Sequence, residues 1–412
     1  MSEFNESEGA IPIARPSEPR VLRPKRATPA DAVRPTRAEV NLAALRSNLR
    51  VVQKHAKGAQ VWAVLKADGY GHGAPAVART LERAGANGFC VALLEEAVEL
   101  REAGIQKPIL VMGGYYPNAH AEVVARNLTP VLFDEAQMEG FSRIVKMGLT
   151  PNAVRVHLKV DTGMGRLGVL ANDLKSVAER LRAYPELEVQ GLMTHLACAD
   201  SASSDHMDEQ ARRFDVATTE LSSYGISPSV RHAANSAAVL RGKTLYDWVR
   251  PGIALFGVSP SLPTASGQTP LCGDLTLAMR VRTEIVDLRT VEEGASVGYG
   301  STWRAKRRTV VATIPMGYAD GLSRHLSNRG FALVRGKRAA IIGNVSMDMS
   351  MIDVTDHPGV SRRDEAVVLG QQSGPLGEDT ISVDEIAEAA HTIPWEILTS
   401  ISRRVPRFYR EP

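Results

Sequence analysis

The sequence predicts an α/β protein in which an N-terminal (β/α)8 TIM-like barrel is followed by a mainly β domain. Between residues 38 and 270, short runs rich in Val, Ile and Leu alternate with helical patterns, as expected of strands buried on both faces. Eight such units fit one closed barrel, whose usual size is about 250 residues, although an open doubly wound sheet would share the pattern. Residues 271–412 instead contain successive strand-like runs separated by Gly, Asp and Asn turns, which predicts the β domain.

The elements can be placed in order along the chain. Residues 1–37 contain six prolines and no aromatic residue beyond Phe4, so we expect a disordered, Pro/Arg-rich tail. The predicted barrel strands are residues 61–67, 88–93, 108–112, 129–133, 154–160, 189–195, 229–233 and 248–256. The clearest predicted helices are residues 76–84, 94–103, 135–147, 173–184 and 208–224. Two X-Pro pairs, Ser259-Pro260 and Leu262-Pro263, predict a linker after the barrel.

The β domain should contain at least six strands and one well-marked helix. The strand-like runs are residues 275–288, 309–314, 331–334, 339–342, 349–354 and 366–369. Ser382 and Glu385 have the spacing of a capping box immediately before Ile386, which predicts that a helix begins there.

Composition excludes several classes of protein. Of the 412 residues, 44% are hydrophobic and 23% charged, which is typical of a soluble globular protein. A net charge of +3 is too small to indicate a nucleic-acid partner, and no apolar stretch is long enough to cross a bilayer. The N-terminus lacks a secretory signal pattern. Cys90, Cys198 and Cys272 are scattered without metal-ligand spacing, so we expect no metal site and a cytoplasmic location.

The first predicted strand leads to a lysine, Lys66, followed by a turn that contains Gly69, Gly71 and Gly73. Barrel enzymes place their chemistry at the carboxyl ends of their strands. An amine that is partly buried there has a lowered pKa and can attack a carbonyl. A lysine whose stem is buried while its amine reaches water would fit the same pattern. This stretch alone leaves both interpretations open.

Polar residues also lie within, at or just after the ends of other predicted strands, and these ends should meet at one mouth of the barrel. The residues are Lys159, Asp161, Arg166, His195, Asn235, Ser236 and Arg250. Barrels often bind phosphate after strands seven and eight, where Ser236 opens a helical stretch and Gly252-Ile253 offers backbone amides. An aldehyde-trapping lysine beside a phosphate site predicts pyridoxal phosphate as the cofactor.

Six ordered motifs resemble those of the alanine racemase family. They are Lys66-Ala67-Asp68-Gly69-Tyr70-Gly71-His72-Gly73, Lys159-Val160-Asp161-Thr162-Gly163-Met164-Gly165-Arg166, His232-Ala233-Ala234-Asn235-Ser236, Arg250-Pro251-Gly252-Ile253, Gly298-Tyr299-Gly300 and Ser346-Met347-Asp348. The resemblance implies a pyridoxal-phosphate enzyme that interconverts L- and D-alanine and supplies D-alanine for peptidoglycan. It also implies a barrel plus a β domain, paired head-to-tail in a homodimer with shared active sites.

The resemblance further implies a role for each matching residue. Lys66 is the Schiff-base lysine and one base, and Tyr299 is the opposite-face base, contributed by the other subunit. Residues matching phosphate contacts are Tyr70, Ser236, Gly252 and Ile253. Arg250 faces the pyridine nitrogen with support from His195, and Asn235 adjoins the phosphate site. Residues matching the substrate site or its entrance are Arg166, Met347, Tyr318 and Asp348. Lys159 matches a lysine that is often carbamylated in the family.

Two departures from the family pattern affect these expectations. Trp395 stands where the family usually has a tyrosine that reaches the phosphate, and an indole can donate a hydrogen bond but cannot accept one. Ser346 stands where many members have cysteine. Two other functions are compatible with a pyridoxal-phosphate barrel: an amino-acid decarboxylase of the same fold and a pyridoxal-phosphate homeostasis protein. Arg250 argues against the first, because that class is expected to place an acid at the pyridine nitrogen. The β domain carrying Tyr299 argues against the second.

Overall fold

The computed structural model describes residues 32–113, 119–148, 150, 153–201, 203, 205–264 and 267–411, without the side chains of residues 261–269. Most of the predicted N-terminal tail, residues 1–31, lies outside the described residues. The description below therefore concerns the barrel, the β domain and the short segment that leads into them.

Eight parallel strands close into a barrel, as the sequence predicts, and the open sheet is thereby excluded. Closure is made by Gln60–Val64, which pairs with Gly88–Val91 on one side and with Trp248–Val249 on the other. The strands are Gln60–Val64, Gly88–Val91, Ile109–Val111, Thr129–Leu132, Val154–Lys159, Leu187–Met193, Val230–His232 and Trp248–Val249. Every strand position predicted from a buried apolar run is occupied by a barrel strand.

Helices connect the strands around the outside of the barrel. They are Leu42–His55, Ala74–Arg83, Leu94–Glu102, His120–Ala125, Glu135–Lys146, Leu174–Arg182, Asp205–Ser223 and Ser236–Leu240. The first begins after Asn41, whose side-chain oxygen accepts a hydrogen bond from the Ala44 N–H. It buries one apolar stripe, which includes Leu45, Leu49 and Val52. The five predicted helices are all present, with ends shifted by a few residues at most.

Every predicted barrel strand ends earlier than expected, and the first and the last differ most. The last barrel strand stops at Val249 rather than at residue 256, because Pro251 has no N–H to donate, and a 3-10 turn, Ile253–Phe256, follows. The first stops at Val64, so Lys66 lies just beyond the strand instead of within it. Both differences place motif residues in the loops at the barrel mouth.

A ten-stranded sheet forms the second domain and confirms the mainly β prediction. Its path runs Asp287–Val291, Thr309–Ile314, Ser350–Asp353, Lys337–Ile342, Phe331–Val334, Glu365–Gly374, Met279–Glu284, Arg37–Asn41 and Arg407–Arg410, with Gly377–Ile381 added beside Glu365–Gly374. All pairings are antiparallel except the last on the path. The helices are Val383–Ala389, capped by Ser382 as predicted, and Pro394–Ser400. The expected linker contains the paired strands Ser261–Thr264 and Gly267–Pro270, and Ser296–Val297 pairs with Trp303–Arg304.

Strand Arg37–Asn41, the first in the described part of the chain, belongs to this sheet and not to the barrel. Arg37–Asn41 pairs with Met279–Glu284 and with Arg407–Arg410, whereas the sequence placed residues from 38 onward in the barrel. The preceding residues also pack on the β domain, since the buried Thr36 hydroxyl donates to the Pro315 carbonyl at 2.7 Å. The end of the expected tail is thus part of the β domain. No helix in the described part of the chain is both long and apolar enough to cross a membrane.

Candidate active site

A cavity of about 300 Å³ opens at the carboxyl ends of the barrel strands. The predicted site residues that line it are Lys66, Tyr70, Lys159, Arg166, His195, Asn235, Ser236, Arg250, Gly252, Ile253 and Trp395. Tyr299, Tyr318, Met347 and Asp348 do not line it and lie instead on the β domain. The barrel mouth therefore brings together the predicted cofactor residues, while four predicted residues remain outside this chain's own cavity.

Lys66 begins an unusual turn, Lys66–Tyr70, in which the backbone becomes left-handed. Four successive residues have positive φ: Ala67 at 51°, Asp68 at 58°, Gly69 at 60° and Tyr70 at 52°. Only Gly69 adopts this conformation freely, and each of the others costs on the order of 1–2 kcal/mol. The turn directs both the Lys66 amine and the Tyr70 ring to the cavity.

Contacts from outside the turn hold this strained backbone in place. The Glu96 carboxylate accepts hydrogen bonds from the N–H groups of Ala67 at 2.6 Å, Ala92 at 2.9 Å and Leu93 at 3.0 Å. The buried His72 uses Nδ1 to donate to the carbonyls of Gly69 and Tyr70. The sequence does not identify Glu96 as a site residue, because one of its hydrogen-bond donors, Ala67, lies 29 positions earlier in the chain.

The two lysines of the cavity are both easier to deprotonate than a free lysine. Loss of water contact, then the positive charge of Arg166, lower the pKa of Lys66, while Glu96 acts in the opposite direction. For Lys159, burial together with Arg166 and Arg250 lowers the pKa to about 8. Burial and the neighbouring cations therefore favour the uncharged, nucleophilic form of each amine.

Tyr70, Ser236 and Gly252 form a small polar cradle on one side of the cavity. The Gly252 N–H donates to the Ser236 hydroxyl at 2.9 Å, and a Cβ on Gly252 would lie 2.1 Å from the Tyr70 hydroxyl oxygen. Helix Ser236–Leu240 begins here, capped by Asn235, so its first amides face the same space. Burial raises the pKa of Tyr70, which keeps its hydroxyl protonated as a donor. Neutral donors around a helix N-terminus suit a phosphate group.

Gly252→Ala should damage this cradle by displacing the Tyr70 hydroxyl, since the new methyl group cannot share its position. We expect the dissociation constant for pyridoxal phosphate to rise at least about tenfold. Titrating the apoprotein with the cofactor and following its absorbance would measure this. Gly273→Ala is the matched control, because a Cβ there meets no atom within 4 Å. Equal affinity in the two variants would contradict the expected role of Gly252.

Arg250 lies in the wall of the cavity, where it is buried among neutral acceptors. Its guanidinium donates to His232 Nδ1 at 2.6 Å, to the Thr194 carbonyl at 2.7 Å and to the Ala233 carbonyl at 3.2 Å. Burial lowers the pKa of Arg250 to about 10, so it remains a cation at neutral pH. The histidine bonded to Arg250 is thus His232, whereas the sequence assigned that support to His195, which lines the cavity instead.

Asp161 organises the loop that carries Arg166. Its carboxylate accepts four backbone hydrogen bonds, from residues 163, 164, 165 and 166, at 2.8–3.2 Å. These bonds lower the pKa of Asp161 although its burial acts in the opposite direction. The ionised carboxylate therefore fixes the backbone at Arg166 and leaves the exposed guanidinium directed at the cavity entrance.

The C-terminal helix Pro394–Ser400 completes one wall of the cavity. It supplies Trp395 and packs so closely on the lysine turn that a Cβ on Gly71 would lie 2.2 Å from the Leu398 carbonyl oxygen. Arg407 donates to the Gly71 carbonyl at 2.9 Å. The β domain therefore holds the lysine turn of the barrel in the same chain.

The four predicted residues outside the cavity lie on one face of the β domain. The Tyr318 N–H donates to the Ser346 carbonyl and the Ala319 N–H to the Met347 carbonyl, both at 3.0 Å, which ties two loops together. The Tyr299 carbonyl accepts a hydrogen bond from the side chain of Asn344 at 2.8 Å, and Asn344 precedes the loop that contains Ser346 and Met347. Tyr299 is 76% exposed and Met347 is 53% exposed. This surface, called here the tyrosine face, presents Tyr299, Tyr318, Met347 and Asp348.

Comparison with known protein families shows which family contains this chain. The family model described as "Alanine racemase, N-terminal domain" matches residues 40–260, and "Alanine racemase, C-terminal domain" matches residues 278–409. A curated alanine racemase of Sorangium cellulosum is 59% identical over 387 residues, which cover 92% of this chain and 100% of that protein. The chain belongs to the alanine racemase family.

Solved alanine racemases share the whole architecture of this family member. The enzyme from the D-cycloserine producer Streptomyces lavendulae matches with a TM-score of 0.85 and 32% identity, over 95% of this chain and 98% of that one. The Bartonella henselae enzyme, solved with covalently bound pyridoxal phosphate, matches with a TM-score of 0.80 and 28% identity, over 91% and 99% of the two chains. The likeness therefore extends over both the barrel and the β domain.

Proposed function

We propose that this protein is a pyridoxal-phosphate-dependent alanine racemase that interconverts L- and D-alanine. One observation carries the proposal: a single cavity combines an accessible, weakly basic Lys66, a neutral phosphate cradle and a buried cationic Arg250. Membership of the alanine racemase family supports the same reaction over the decarboxylase and homeostasis alternatives.

The cradle and the arginine fit pyridoxal phosphate. Tyr70, Ser236 and the backbone amides of Gly252 and Ile253 would hold its phosphate, and Arg250 would contact the pyridine nitrogen. Asn235 caps the helix beneath the phosphate, while His195 and Trp395 would form walls of the cofactor site. The Gly252 backbone packs against the Tyr70 hydroxyl, so the cradle is shaped before any ligand enters.

Racemisation needs a proton removed from one face of the alanine Cα and returned to the other, so two bases are required. Bound pyridoxal phosphate supplies an electron sink that stabilises negative charge at Cα. Lys66, with its lowered pKa, holds or releases the proton on one face. Arg166 binds the substrate carboxylate and keeps Cα within reach of the lysine.

The second base is proposed to be Tyr299 of a partner subunit in a head-to-tail homodimer. Support comes from the tyrosine face, which is exposed in one chain and bears apolar side chains such as Met347 and Met349. In such a dimer, Met347, Tyr318 and Asp348 would line the substrate site or its entrance. Tyr299 does not line the cavity of its own chain, so the partner subunit would provide the tyrosine.

Lys159 is proposed to be carbamylated, which would convert a cation next to Arg166 into an anion that positions it. Carbamate formation requires the uncharged amine, and the pKa of Lys159 is lowered to about 8, so the carbamate should increase as pH rises through that value. A carbamate carbon signal in ¹³C NMR after addition of ¹³C-bicarbonate would measure this. Lys159→Ala is the control that should lack the signal, and its absence from the native protein at saturating bicarbonate would refute carbamylation.

The function is tested by incubating the purified holoenzyme with L-alanine in deuterated water. A racemase should form D-alanine and place deuterium at Cα in both enantiomers. Carbon dioxide release without D-alanine would identify a decarboxylase. Unchanged L-alanine would indicate a protein that binds the cofactor without catalysing a reaction of alanine. The product is proposed to serve peptidoglycan synthesis in the cytoplasm, a location consistent with three free cysteine thiols.

A further inference from the structure

From the wall of the cavity, three buried side chains form a row of hydrogen bonds through the core of the barrel. Arg250 Nη1 lies 2.6 Å from His232 Nδ1, and His232 Nε2 lies 2.7 Å from His157 Nδ1. All three residues are at most 3% exposed. His157 belongs to strand Val154–Lys159 and does not line the cavity.

The direction of every proton in this row is fixed by chemistry. A guanidinium can only donate, so His232 Nδ1 must present a lone pair to Arg250. A neutral His232 then has its proton on Nε2 and donates it to His157 Nδ1. His157 in turn must have its proton on Nε2. Burial, followed by the charge of Arg250, lowers the pKa of His157 to about 3 and the pKa of His232 well below its ordinary value, so both rings stay neutral.

The orientation of the His157 ring is fixed by its neighbours. A Cβ on Gly191 would lie 2.4 Å from His157 Nδ1, so only glycine leaves room for this ring. Trp248 flanks both histidines, with ring centroids 5.1 Å from His157 and 5.5 Å from His232. His157 therefore presents its acceptor nitrogen to His232 in one defined position.

We propose that His157 is a positioning residue that fixes the tautomer of His232 and, through it, the orientation of Arg250. Without an acceptor at His157, the His232 proton is free to move to Nδ1, where it would oppose the Arg250 N–H. Arg250 would then lose one of its neutral acceptors and its defined position in the wall of the cavity. The tautomer assignment rests on contacts within the protein, and its effect on catalysis rests on the proposed function.

Nitrogen NMR of the protein labelled with ¹⁵N-histidine tests the assignment directly, with and without pyridoxal phosphate. His232 and His157 should both appear as neutral rings protonated at Nε2, unchanged from about pH 6 to about pH 9. The signals of His157 are identified by their loss in a His157 variant and those of His232 by their loss in His232→Asn. A His232 that is cationic or protonated at Nδ1 in the native protein would overturn the proposal, even if every variant failed to fold.

Two variants separate the hydrogen bond from the volume of the ring. His157→Asn places an acceptor oxygen near the position of Nδ1, whereas His157→Leu has a similar branched shape without an acceptor. In His157→Leu, His232 should populate both tautomers, the dissociation constant for pyridoxal phosphate should rise about tenfold, and kcat should fall about tenfold with KM for alanine nearly unchanged. His157→Asn should restore the native tautomer and most of both losses.

Failure of the inference about His157 and failure of the proposed function give different results. A native His232 tautomer in His157→Leu, or equal behaviour of the two variants, would show that His157 only fills space. Absence of racemisation by the native protein would remove the proposed function while leaving the tautomer result intact.

Discussion

Lys66→Ala is expected to lower the rate of alanine racemisation by at least about 10⁴-fold. The substitution removes both the amine that holds the cofactor covalently and the base on one face of the substrate. The rest of the cradle remains, because Tyr70, Ser236 and Gly252 make their contacts without the lysine side chain. Pyridoxal phosphate should therefore still bind, but without a covalent link.

Two measurements test this expectation together. Borohydride reduction followed by intact mass analysis should attach the cofactor to the native protein and not to Lys66→Ala, and chiral analysis should follow D-alanine. Lys175→Ala is a matched control, since Lys175 is an exposed lysine on helix Leu174–Arg182 and does not line the cavity. Cofactor attachment that persisted in Lys66→Ala would move the covalent role to another lysine, with Lys159 the first to examine.

Tyr299→Phe should lower racemisation by about 10²–10⁴-fold, the usual contribution of one general base. The stronger test mixes this variant with Lys66→Ala. If Tyr299 of the partner subunit serves each site, a mixed dimer has one site with both residues intact and one with neither. Random reassociation makes half of the dimers mixed, so about one quarter of native activity should return. Sites private to one chain would recover none.

The control for this experiment is Tyr184→Phe, which removes a tyrosine hydroxyl away from the tyrosine face; the Tyr184 ring packs beneath Lys146. Tyr184→Phe should retain native activity and should add nothing when mixed with Lys66→Ala beyond its own rate. Native mass spectrometry of each mixture, with one variant uniformly labelled with ¹⁵N, shows whether the subunits have exchanged. Full exchange without recovered activity would contradict the shared site.

The barrel could be predicted from sequence because its strands are short apolar runs with both faces buried, a local property of residues such as Val61, Phe89 and Leu192. The approximate site could also be predicted, since parallel strands end at one mouth. The backbone conformation of the site could not be predicted. The left-handed turn after Lys66 contains Ala67, Asp68 and Tyr70, none of which favours positive φ on its own. Glu96 and Arg407 stabilise that turn from other parts of the chain, and local patterns carry no information about such contacts.

The partners of Arg250 were missed for a related reason. His157 lies within a buried strand, where the pattern of apolar and polar residues does not distinguish a structural histidine from a functional one. His232 was part of a quoted motif, yet its role became clear only from the 2.6 Å contact with Arg250. His195 follows a neighbouring strand, and nothing in the sequence favoured His232 over His195 as the histidine that contacts Arg250. Long-range pairing also explains why strand Arg37–Asn41 was assigned to the barrel and not to the sheet that contains it.

The position of that first strand has a consequence for how the chain is made. Arg37–Asn41 leaves the ribosome early, but its neighbours are Met279–Glu284 and the C-terminal strand Arg407–Arg410. The barrel, encoded between them, can close while the early strand still has no pairing partner. The pairing with Arg407–Arg410 can form only after those residues have emerged, so a shorter nascent chain leaves one edge of strand Arg37–Asn41 unpaired. The lysine turn likewise gains Arg407, and the cavity gains Trp395, only after these residues have been synthesised, so a shorter nascent chain lacks both parts of the site.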